Sequence, residues 1–149
     1  MNVRSTAEQA ADVASAPPLS DEEKGQLRTA LASVPDSFGL LEGLFAHSPV
    51  PYAIFTADGH VLLTNPAYRR MFGAAPPPEY DIFKDEITQS LGLTPLIRRA
   101  FAGETIHAPT FWYDPRALEH VAVASATPAA IAPSMFPVRS ADGTVTHMA

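Results

Sequence analysis

Residues 52–73, YAIFTADGHVLLTNPAYRRMFG, restrict the fold more tightly than any other stretch of this chain. Two short runs rich in β-branched and aromatic residues, 52–56 and 60–64, flank Ala57-Asp58-Gly59. The glycine can adopt the positive φ that a tight reversal needs, so the pattern predicts a β-hairpin. Asn65 follows directly and can cap a helix whose first residue, Pro66, has no N–H to lose. Ala67, Tyr68, Met71 and Phe72 share one face of that helix, Arg69 and Arg70 point away, and Gly73 supplies the stop. A hairpin running straight into a capped amphipathic helix is a specific supersecondary unit.

The other elements are read outward from this unit. Residues 1–18 have no periodic apolar face and end in Pro17-Pro18, as expected of a flexible tail. Residues 19–37 form a flanking segment: Ser20-Asp21-Glu22-Glu23 has the spacing of a capping box, and Leu27, Ala30, Leu31 and Val34 follow as a narrow apolar stripe. Such a stripe must pack on something beyond its own helix. Asp36 can cap a second helix carrying Leu40, Leu41, Leu44 and Phe45, stopped by the proline-containing residues 47–51.

After the central unit, three consecutive prolines at 76–78 exclude helix interior and central strand. Residues 80–93 are ambiguous, with Ile82, Phe83, Ile87 and Leu91 able to line one or two helical turns. Thr94-Pro95 reads as a capping residue and first helical position. Leu96, Ile97, Ala100 and Phe101 form the buried face of that helix, and Gly103 its stop. Residues 105–113 read as a strand. The alanine-rich segment 116–128 has Val121 and Val123 as its inward candidates. Residues 129–138 are extended, with Pro133 and Pro137 suited to an edge or bulge. A second Asp-Gly turn, at 141–143, leads into a last strand that stops short at Ala149, so the natural polypeptide is expected to continue. Strands, then short helices, then strands imply an α+β fold with an antiparallel sheet and helices on one side.

The length suits one domain, and 46% hydrophobic against 17% charged residues allows a core and argues against wholesale disorder. A net charge of -6 argues against a sequence-independent grip on phosphate backbones, so no nucleic-acid partner is expected. The absence of cysteine excludes disulfides, thiolate metal sites and cysteine nucleophiles, and fits a reducing compartment. No apolar run is long enough to cross a bilayer and no signal-peptide pattern opens the chain, which predicts a cytoplasmic protein without a membrane span. The histidines, His47, His60, His107, His120 and His147, lack metal-ligand spacing, and no glycine-rich phosphate loop or nucleophile motif is present. No metal and no catalytic residue is assigned.

The residue order resembles that of PAS domains, sensory modules common in bacterial signalling proteins. The resemblance covers 38–149 and rests on four features. These are the strand, D-G turn, strand and N-x-A-x-x-x-x-x-G helix of 52–73, the helix 95–101 with its following Gly-Glu-Thr, and the closing D-G turn. The fourth is a set of Y-x-I-F, L-I-x-x-A-F-x-G-E and W-Y-D-P patterns within 80–115, similar to PAS domains of bacterial histidine kinases. The segment 116–128 departs from the family pattern. The resemblance implies a five-stranded antiparallel sheet with short helices on one face, a preceding flanking helix and no catalysis in this chain. Any kinase activity would lie in another domain or chain, such as a histidine kinase or other signalling output.

In many PAS domains a small ligand lies between sheet and helices. Here Tyr68, Met71, Phe72, Phe83, Ile97, Phe101, His107, Phe111, Trp112 and Tyr113 are the candidates to line that space, against the competing reading that they simply fill the core. His107 and Trp112 have polar handles a ligand could satisfy, although at period two they fall on opposite faces unless a bulge intervenes. A PAS-type haem ligand is not expected, because the helix 94–102 lacks histidine, and a cysteinyl-flavin is not expected without cysteine. The ligand, if there is one, is unknown. In PAS proteins a helix in this position often covers the outer sheet face or pairs with its counterpart. The narrow stripe of Leu27, Ala30, Leu31 and Val34 predicts a homodimer in which it is at least partly buried between chains, the rival being docking on the exposed sheet face of a monomer. The sequence thus supports a sensory module coupling ligand or partner binding to the state of a dimer or output domain. Its alternatives are a ligand-free interaction module and a small-substrate enzyme built around scattered groups such as Asp81, Asp85, His107 and Asp114.

Overall fold

A computed structural model describes residues 19–149, so the tail expected at 1–18 lies outside the described residues. Local capping sets the first two helices. The Ser20 hydroxyl accepts from the Glu23 amide and the Glu23 carboxylate accepts from the Ser20 amide at 2.7 Å, the reciprocal box that starts α1 (Asp21–Ala32). Asp36 accepts from the Gly39 amide at 2.8 Å and starts α2 (Ser37–His47). Neither helix has a buried residue.

The central unit forms as its sequence requires. Strands β1 (Ala53–Thr56) and β2 (Val61–Thr64) pair antiparallel, and Gly59 turns between them at φ 94°. A bulge opposite Ile54 and Phe55 aims Val61 at the core and leaves Leu62 exposed. Asn65 then joins the hairpin to α3 (Pro66–Phe72). Its Oδ1 accepts from the Tyr52 amide (2.8 Å) and the Tyr68 amide (3.0 Å), while its Nδ2 donates to the Val50 carbonyl (2.8 Å). The residue is 0% exposed, so one amide side chain both caps the helix and fixes the chain entering β1.

A 3-10 turn at Ile82–Lys84 precedes α4 (Glu86–Ser90) and α5 (Thr94–Phe101). Thr94 is the first helical residue of α5 and makes no side-chain cap, contrary to the capping role expected for it. The start is fixed by the backbone instead. Gly92 at φ 71° turns the chain out of α4, the Leu93 amide bonds the Thr88 carbonyl, and Leu93 is buried ahead of the helix. Leu96, Ile97 and Ala100 are buried on the expected face, whereas Phe101 is half-buried.

The returning chain forms β3 (Ile106–His107), β4 (Phe111–Tyr113), β5 (Ala129–Ile131), β6 (Ser134–Met135), β7 (Pro137–Arg139) and β8 (Val145–Met148). One sheet runs β2-β1-β8-β7, while β3 pairs with β6 and β4 with β5, every pairing antiparallel. Among the described residues, the expected five continuous strands are therefore eight short segments in three sheets, laid along five passes of the chain. Pro109, Pro133 and Pro137 lie at the interruptions, where no N–H can complete a ladder.

A single core joins Phe72, Tyr80, Leu93, Leu96 and Ile97 from the helical side to Ile106, Phe111, Tyr113, Met135 and Met148 from the sheet. Among the described residues, no helix is long and apolar enough to cross a membrane.

Asn65 gives a test of this organisation. Asn65→Ala strands two backbone amides that lose their acceptor, and unsatisfied buried groups cost about 1–3 kcal/mol each. A loss of about 2–4 kcal/mol is expected in urea unfolding. An Asn65→Ala protein as stable as the parent would remove Asn65 from this role.

Candidate functional site

Between the inner face of the sheet and α3 to α5 lies a cavity of about 480 Å³. Phe55 of β1, Met148 of β8, Met135 of β6, Phe111 of β4 and Leu93 and Ile97 beside or on α5 give it mainly apolar walls. Three of its polar lining residues, Tyr80, Thr88 and Tyr113, converge on Asp85, which is 0% exposed. The Asp85 Oδ1 accepts from the Thr88 amide at 2.9 Å and so caps α4. Its Oδ2 accepts from the Tyr80 hydroxyl at 2.7 Å and the Tyr113 hydroxyl at 2.5 Å.

Burial above all, with the negative charge of Asp85 added, holds the Tyr68 and Tyr113 phenols above the ordinary tyrosine range. Tyr80 is raised in the same direction by burial, then by Tyr113 and Asp85. All three rings therefore stay neutral at physiological pH and can donate.

The segment after β4 is held beside this cluster by one carboxylate. Glu86 accepts from the Glu119 amide (3.3 Å), the His120 amide (3.0 Å) and the His120 ring Nδ1 (2.9 Å). The His120 ring lies 5.5 Å from that of Tyr80, and Leu118 and Val121 are buried beneath the segment.

Residues 39–109 match the family model described as a PAS domain. This segment belongs to the PAS domain family. Among solved structures, an RNA-binding light-oxygen-voltage receptor is similar at 22% identity and TM-score 0.60, over 91% of this chain and 35% of that one. A domain of the sensory box sensor histidine kinase/response regulator from Geobacter sulfurreducens is similar at 19% identity and TM-score 0.50, over 74% of this chain and 90% of that one. At these identities the likeness is one of fold. The chain spans about a third of the receptor's length. No curated protein matches the chain.

Of the residues expected around a PAS pocket, Tyr68, Met71, Phe72, Ile97, Phe111 and Tyr113 line the cavity. Four do not. Phe83 and Phe101 pack on each other at 4.8 Å beside it, with the Arg98 guanidinium 5.1 Å from the Phe83 ring. His107 and Trp112 lie on the outer face of the sheet, His107 beside Ser134 (Nδ1 to Oγ 2.8 Å) and Trp112 63% exposed.

The cause is a change of phase. Ile106 and Ala108 face inward, and so do Phe111 and Tyr113, so an extra residue intervenes at Pro109-Thr110. Neither period-two grouping of the whole run survives it. The sequence reading missed Tyr80, Thr88, Leu93 and Met148 as lining residues, and noted Asp85 only as a scattered titratable group. The available signal was Asp85 three residues ahead of Thr88, an N-cap pattern before a short helix.

The Glu86 clasp predicts an acid response. Chiefly through the His120 ring hydrogen bond, the Glu86 carboxyl is lowered to about 2. A depressed folded-state value stabilises fully above the ordinary value of 4.5 and ceases to do so as pH falls towards 2. In an NMR titration, the Glu119 and His120 amide shifts should move with a midpoint near 2, whereas a midpoint near 4.5 would mean the clasp is not formed.

Proposed function

We propose that this chain is a PAS sensory module whose signal is a small, largely apolar molecule held between the sheet and α3 to α5. The observation carrying this reading is the size of the cavity, about 480 Å³, within the usual range of small-ligand sites. Its walls, Phe55, Leu93, Ile97 and Met148 among them, are mainly apolar with a few polar groups, and so suit an apolar guest.

Occupancy would act by differential affinity for two packings of the helical layer on the sheet. The exposed face of α1 and α2 is the means of passing that change on. Phe38 is 77% exposed, and Leu27, Leu41 and Leu44 are also exposed, which supports pairing with a second copy across a two-fold axis. Of the stripe expected to pair, Leu27 and Ala30 are exposed, while Leu31 and Val34 are half-buried. The output is a signalling domain such as a histidine kinase, elsewhere in the polypeptide or in another chain, with no catalysis in this one and a cytoplasmic setting. The net charge of -6 favours a protein over a nucleic-acid partner, although the neighbour described as RNA-binding means that the fold itself does not exclude RNA.

The exposed helix face also favours a second reading, a module that works by dimerising with no ligand. Native mass spectrometry of freshly purified chain tests both. The proposal expects a dimer mass carrying a small molecule that is released on denaturation. A ligand-free dimer would favour the second reading, and a ligand-free monomer would contradict both.

A further inference from the structure

The polar end of the cavity has a chemical bias that narrows the ligand class, an inference that rests on reading the cavity as a ligand site. Tyr80 and Tyr113 each have one hydroxyl proton, and both are directed to Asp85 Oδ2. The Asp85 Oδ1 accepts only the Thr88 amide among its described hydrogen bonds. A carboxylate has about four acceptor sites and a phenol oxygen keeps lone pairs after donating. What Tyr80 and Tyr113 present to a guest is therefore a pair of acceptor oxygens in front of the buried Asp85 charge, with their own donors already committed to it. Tyr68 lies at the same end, close enough to feel the Asp85 charge but not hydrogen-bonded to it, and offers one further proton.

We infer that this site selects apolar ligands bearing a hydrogen-bond donor, a hydroxyl above all, and rejects anions. A hydroxyl can donate to the Tyr80 or Tyr113 oxygen and accept from Tyr68, which matches both offers. A carboxylate or phosphate would bring a second negative charge towards Asp85 in a site of low dielectric. At a separation of about 6 Å and an effective dielectric near 20, that repulsion disfavours binding about a hundredfold. A ligand of the right shape with an acceptor but no donor would meet oxygens with nothing to give them. A buried group left unpaired in this way typically costs about a factor of ten or more in affinity.

Three probes of nearly one shape separate these effects: 2-naphthol, 2-methoxynaphthalene and 2-naphthoate. They are titrated at pH 7 into the full chain while the methyl signals of Ile97, Met71 and Met148 are followed by NMR. The inference expects 2-naphthol to bind about tenfold or more tighter than 2-methoxynaphthalene, and 2-naphthoate to be the weakest. In Asp85→Asn, which keeps a helix-capping side chain, the naphthol-to-naphthoate ratio should shrink at least tenfold. If that variant does not fold, the ratios in the parent protein still decide.

Naphthoate binding within threefold of naphthol, or methoxynaphthalene binding equally well, would overturn the donor rule while leaving the cavity a binding site. If none of the probes moves these methyl signals, the cavity reading itself fails, and the inference with it.

Discussion

A carboxylate with no access to water must be surrounded by donors, and at Asp85 that requirement ties together three separate parts of the chain. Thr88 supplies the start of α4, Tyr80 the loop before it, and Tyr113 the far edge of the sheet. Hydrogen bonds to charged groups contribute about 1.5–3 kcal/mol each, and removing a partner leaves the charge uncompensated. The helical layer therefore cannot slide over the sheet without breaking them. The two phenol rings that satisfy Asp85 also stand in the cavity wall, so the constraint that orders the fold gives the site its polar end.

At the opposite side, Asn65 plays the corresponding role for the hairpin. It is uncharged and satisfied entirely by backbone groups, holding α3 to the entry of β1. Between these two anchors, the layers meet through Phe72, Leu93, Ile97, Ile106 and Met148. The interior is thus framed by polar contacts at its ends and left partly open in its apolar middle. Such a frame leaves the apolar middle as the place where two packings of the layers could differ.

The parts of this arrangement that were legible in the sequence are those decided locally. Ser20 with Glu23, Asp36, Asn65-Pro66 and the Asp-Gly reversals each determine their own few residues of backbone, and all form as the sequence implies. The PAS resemblance read from 52–73 and the later helix likewise agrees with the family match over 39–109. What depended on distant partners was not legible. Trp112 and His107 could not be assigned a face because the extra residue near Pro109 shifts the alternation; the proline marks a break but not the phase in which the strand resumes. Asp85 looked like one acid among several because its meaning comes from phenols 5 residues before it and 28 after it. Thr94 had the right chemistry for a cap, but the Gly92 turn and the anchoring of Leu93 set the helix start first.

The central claim is that the space between sheet and helices is an open receptor for an apolar guest and not a core awaiting closure. A crystal of the purified chain pressurised with xenon tests it directly, since xenon enters apolar cavities that retain room. The account predicts xenon density among Phe55, Ile97, Phe111 and Met148, or the density of a retained molecule that excludes it. Side chains closed across that space, with neither xenon nor a retained molecule inside, would contradict it.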